Sequence, residues 1–136
     1  MYSQWGKPSP MGWVIVIEDN LKLRVRIIDT LSEIGLRSLD FETADAAWTY
    51  LSSIPDGCPM VIANHDLPGH IQGAEFIKMV QAEWPFTAAI LTSDYALDPS
   101  IMHSSTVYLE KPWSVEDLEI ALEILLQPGR MLRQML

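Results

Sequence analysis

Two patterns of apolar residues alternate along the chain. Short runs of aliphatic and β-branched residues are separated by longer segments in which apolar positions recur every three or four residues. The runs are Trp13-Val14-Ile15-Val16-Ile17, a weaker one over 37–41, Met60-Val61-Ile62-Ala63, Ala88-Ala89-Ile90-Leu91 and Thr106-Val107-Tyr108-Leu109. They are too short for helices and mostly continuous in hydrophobicity, as strands buried on both faces are. Strands alternating with helices predict an α/β fold, a doubly wound parallel sheet of five strands with helices on both faces.

The helical segments carry their own stops and starts. Leu23, Ile27, Leu31 and Ile34 lie four, four and three apart and predict one buried stripe, closed by Gly35 in a left-handed conformation. Thr43 is placed to cap a second helix with Ala44, Ala47, Trp48 and Leu51 inward, ended by Pro55-Asp56-Gly57. Gly73, Ile77, Val80 and Trp84 share one side of a third, which stops before Pro85. Ser114-Val115-Glu116-Asp117 is a capping box with Asp in the reciprocal position, followed by a stripe of Val115, Leu118, Leu122 and Leu125 up to Pro128-Gly129. The segment 93–105 holds Pro99 and few apolar anchors, so the fourth helix is expected to be short or irregular. Trp48 and Trp84 read as core, and Trp113 as packing on the last helix. Residues 1–12 show no apolar period and read as an N-terminal arm, 13–127 as one domain and 128–136 as a tail.

Composition narrows the function classes. The 136 residues are 49% hydrophobic, enough for one core, with 18 acidic against 9 basic side chains and a formal charge of −9. Such a balance opposes direct nucleic-acid binding. The single cysteine, Cys58, has no internal disulfide partner, and no Cys/His group has zinc spacing; His65, His70 and His103 read as ordinary loop or surface residues. The lone cysteine fits a reducing, cytoplasmic compartment, and the apolar run at 13–17 is too short for a signal-peptide core or membrane span, so a soluble cytoplasmic protein is expected.

In an open parallel sheet the C-terminal strand ends face one crevice, where side chains converge. Those ends hold Glu18-Asp19, Asn64-His65-Asp66-Leu67-Pro68-Gly69, Thr92-Ser93-Asp94 and Glu110-Lys111-Pro112. The pocket expected there is formed by Glu18, Asp19, Asn64, Asp66, Thr92 and Lys111.

Over about 13–127 the chain resembles the receiver domains of two-component response regulators, of which the chemotaxis regulator CheY is the familiar case. Glu18 and Asp19 match the family's acidic pair, Thr92 and Tyr108 its switch pair, and Lys111-Pro112 its lysine and usually cis proline. The resemblance implies a flavodoxin-like, CheY-like sheet in the order 2-1-3-4-5. It implies a magnesium ion held by Glu18, Asp19 and the backbone carbonyl of Asp66, and an active-like state marked by an inward Tyr108. Leu67-Pro68-Gly69 matches the tripeptide that follows the phosphorylated aspartate by three residues, and three residues before Leu67 stands Asn64.

That departure sets the functional expectation. A receiver's carboxylate oxygen attacks a phosphohistidine, whereas a carboxamide oxygen is neutral and its nitrogen lone pair is delocalised. Asn64, at the phospho-acceptor position, is not expected to be phosphorylated, and its amide is placed to donate to Glu18 or Asp19. With one carboxylate fewer, magnesium is expected to bind weakly, and no cofactor is required. The expected function is that of a non-enzymatic pseudo-receiver that binds a protein partner, a histidine kinase or another signalling protein, without phosphorylation. A homodimer is allowed; nucleic acid and membrane are not expected partners. Two alternatives are a receiver phosphorylated on another residue such as Asp66, and a flavodoxin-like domain for a small ligand.

Overall fold

A computed structural model describes residues 13–98, 100 and 106–126. The expected arm and tail, His103 and, of the segment 93–105 where a short or irregular fourth helix was expected, residues 99 and 101–105 lie outside the described residues. In chain order the elements are β1 (Val14–Ile17), α1 (Leu21–Glu33), β2 (Ser38–Phe41), α2 (Ala44–Leu51), β3 (Met60–Asn64), α3 (Gly73–Glu83), β4 (Ala88–Ser93), β5 (Thr106–Glu110) and α4 (Val115–Leu126). The strands form one parallel sheet in the order β2-β1-β3-β4-β5.

Each strand's alternation divides the core in two. Ile15, Ile17, Val61, Ala63, Ala89 and Leu91 point to one face and pack with Ala44, Ala47 and Leu51 of α2 and Phe76, Ile77 and Val80 of α3. Val14, Val16, Met60, Ile62 and Ile90 point to the other and pack with Ile27 and Leu31 of α1 and Leu118, Ala121, Leu122 and Leu125 of α4. Central strands β1 and β3 are buried throughout, whereas most of β2 and β5, at the edges, is half-buried. Period-2 packing thus lies beneath a run that looks uniformly apolar in sequence.

The caps follow side-chain chemistry. Thr43 accepts from the Ala46 N–H, Asn20 from the Leu23 N–H, and Gly35 adopts φ 84° just after α1. At α4, the Ser114 N–H donates to Asp117 and the Asp117 N–H donates to Ser114, at 2.9 and 3.0 Å. Ser114→Ala removes one arm of this box and is expected to cost about 1 kcal/mol, read as a lower urea midpoint at unchanged slope.

Three expectations are corrected. Ile34 and Val115 are 43% and 38% exposed, because each sits at a helix end where its stripe has turned away from the sheet. The second helix ends at Leu51, before Pro55, as Ser52 and Ser53 send their hydroxyls back to the carbonyls of Trp48 and Tyr50. Trp48 and Trp84 are half-buried rims of the core, their rings 6.3 Å apart, with the Trp84 indole N–H donated to the Pro55 carbonyl. Trp113, by contrast, is 4% exposed and packs with the inner face of α4.

Candidate functional site

Register brings the site together. Asn64, the last residue of β3, lies beside Thr92 of β4, and the His65 N–H continues the ladder to the Thr92 carbonyl. Ser93 lies beside Glu110, and the Lys111 N–H reaches the Ser93 carbonyl. Glu18 and Asp19 follow β1 directly. The peptide bond between Lys111 and Pro112 is cis.

The acidic pair is divided. Glu18 is 1% exposed while Asp19 is exposed. One Glu18 oxygen accepts from the Asn20 N–H at 3.0 Å; the other lies 3.2 Å from Lys111 Nζ in an ion pair off the hydrogen-bond axis. Burial raises the Glu18 carboxyl above its ordinary value, opposed by the Asn20 amide and then by Lys111. Lys111 also lies 4.0 Å from the exposed Asp94. Beside it opens a cleft of about 330 Å³, lined by Leu23, Arg26, Asp94, Lys111, Pro112 and Trp113, with the Arg26 guanidinium 5.9 Å over the Trp113 ring.

Asn64 is 4% exposed and both ends of its amide are engaged. Its Nδ2 donates to the Asp66 carbonyl at 2.8 Å, and its Oδ1 accepts from the Thr92 hydroxyl at 3.3 Å. The expected donation to Glu18 or Asp19 is therefore corrected: a backbone carbonyl two residues on lies within the short reach of the side chain. Asp66 in turn accepts from the Tyr95 hydroxyl at 3.1 Å. Tyr108 is half-buried against the core, and its hydroxyl donates to the Tyr95 carbonyl.

A divalent cation does not fit this arrangement. The Asp66 carbonyl assigned to the metal takes the Asn64 N–H instead, and the Glu18 carboxylate is directed to Lys111. Among the described residues no three His, Cys, Asp or Glu side chains come together as a ligand set.

Three contributors went unread in the sequence. Arg24 donates to the Glu18 carbonyl at 2.7 Å and pairs with Asp40 at 3.1 Å, fixing the end of β1 to β2. Its signal was a cation one turn from Asn20, toward the buried side of α1. Asp45 accepts from the N–H groups of His70 and Ile71, anchoring the loop after β3 to α2; its carboxyl is held below its ordinary value chiefly by the Ile71 N–H. Tyr95 carried no periodic or motif signal.

These elements define a CheY-like, flavodoxin-like fold, and its structural neighbours are response regulator receiver domains. A response regulator receiver protein from Sinorhizobium medicae superposes with a TM-score of 0.78 at 18% identity, covering 85% of this chain and 94% of that one. The receiver domain of NtrX from Brucella abortus gives 0.73 at 18%, covering 85% and 98%. The chemotaxis protein CheY4 of Vibrio cholerae gives 0.70 at 20%, covering 85% and 99%. No family model and no curated protein matches the chain. At these identities the likeness establishes the fold. None of the described helices is long and apolar enough to cross a membrane.

Proposed function

We propose that the chain is a receiver-like module of two-component, phosphorelay signalling that acts in the cytoplasm through protein contact, without an aspartyl phosphate and without catalysing a reaction. One observation carries the reading: Asn64, which the resemblance puts at the acceptor position, is a buried carboxamide with both ends hydrogen-bonded and no nucleophilic oxygen. Asp66 is a poor substitute, since its carboxylate accepts from Tyr95 and its carbonyl from Asn64. Glu18 and Asp19, just before α1, disfavour the flavin-phosphate reading, because their charges would repel a phosphate at that helix start. Tyr108 packs half-buried with its hydroxyl held by the β4 loop, which supports an active-like arrangement available to a histidine kinase or another signalling protein.

The test is intact-mass spectrometry after incubation with magnesium and acetyl phosphate. The wild type is expected to keep its mass, while Asn64→Asp gains one phosphoryl unit. Uptake by the wild type, lost in Asp66→Asn, would establish the alternative acceptor and overturn the proposal.

A further inference from the structure

A chain of polar contacts crosses the crevice above Asn64. Beneath, the Asn64 amide holds the Asp66 carbonyl and the Thr92 hydroxyl. Above, the Tyr95 hydroxyl holds the Asp66 carboxylate, and the Tyr108 hydroxyl holds the Tyr95 carbonyl. The Tyr95 N–H donates to Ser93 Oγ at 3.2 Å, and its ring meets His65 edge-on at 6.4 Å. Asp66 and Tyr95 are thus each gripped through both backbone and side chain. Tyr95 is 48% exposed, so its place rests on these polar ties more than on burial. Its hydroxyl is raised above its ordinary value chiefly by the bond to Asp66, as befits a donor held against a carboxylate.

We propose that Asn64, Asp66, Tyr95 and Tyr108 form one clasp that the Asn64 amide keeps closed, with Tyr95 as the positioning residue that couples the loops after β3 and β4. The chemistry is directional. Only a hydrogen-bond donor can face the Asp66 carbonyl, and Asn64 supplies one; an ionised carboxylate at position 64 sets acceptor against acceptor and pushes the loop off the end of β3. Asp66 then leaves Tyr95, and the Tyr95 carbonyl moves from under Tyr108. The clasp rests on these contacts alone and stands whether or not the partner is a signalling protein.

Hydrogen exchange and tyrosine ring resonances of the full chain test this in wild type, Tyr95→Phe, Asn64→Asp and the double variant. Tyr95→Phe keeps the ring and removes one bond to a carboxylate, so amide exchange over 66–72 is expected to rise about tenfold. Tyr108 resonances are expected to shift although its own acceptor, a backbone carbonyl, is untouched by the substitution. Asn64→Asp is expected to produce the same pattern, and the double variant to exchange no faster than Asn64→Asp alone. Wild-type exchange over 66–72 in Tyr95→Phe, an unmoved Tyr108, or multiplying effects in the double variant would each overturn the clasp.

Discussion

Replacing Lys111 with Met is expected to lower stability by about 3 kcal/mol near neutral pH, because it strands the Glu18 carboxylate in the interior. Breaking a buried pair typically costs about 3 to 5 kcal/mol, and the lower end applies because Lys111 borders an open cleft. The pH dependence separates this cause from lost packing. Glu18 already titrates above its ordinary 4.5 in the folded chain, and Lys111 is one of the groups pulling it down. Without the lysine the folded value rises further. A carboxyl whose folded value exceeds its unfolded one makes the native state bind the proton more tightly, so stability falls as pH rises from 4.5 through the folded value. The deficit of Lys111→Met is therefore expected to be complete above that value and to shrink toward acid, measured by urea unfolding from about pH 8 to about pH 5. Adding Glu18→Gln is expected to recover much of it. A deficit independent of pH and untouched by Glu18→Gln would assign the loss to packing instead.

Gly73→Ala is expected to cost about 3 kcal/mol, although alanine is the better helix former. A Cβ at this first residue of α3 would lie 2.0 Å from the Asn64 carbonyl oxygen and 2.9 Å from the His65 Cα. Both are backbone atoms at the end of the central strand, and the Gly73 N–H donates to the His65 carbonyl, so no side chain can swing aside. The helix must shift as a body, pulling Phe76 and Val80 from a core where both are fully buried. The same shift disturbs Asn64, so the variant is expected to lose protection at His65 and Leu67 in hydrogen exchange along with a lower thermal midpoint. A wild-type midpoint would show that α3 is not pressed against β3 as closely as these distances state.

The strands were legible because a parallel sheet covered on both faces leaves continuous apolar runs, and the caps because Thr43, Ser114 and Asp117 bond only to near neighbours in sequence. Glu18, Asn64, Thr92 and Lys111 were legible too as residues of the strand ends, since the fold places those ends in one crevice. Their partners were not. Glu18 and Asp19 are adjacent and chemically alike, yet one is buried against Lys111 and the other faces solvent, a division set by where β1 enters the turn before α1. Asp45 reaches the loop after β3 across 25 residues of sequence, and Tyr95 reaches Asp66 across 29. Contacts of that separation leave no period to read.

What the sequence determined alone was the order of the described elements, the middle of the stripe that each described helix buries and the absence of a nucleophile at position 64, because each depends on local spacing or on the chemistry of one side chain. Only the tertiary structure decided where the Asn64 amide points, which carboxylate Lys111 pairs with and that the Tyr95 hydroxyl reaches Asp66. Those outcomes depend on distances between groups far apart in the chain, and a hydrogen bond or ion pair is settled within a few ångströms.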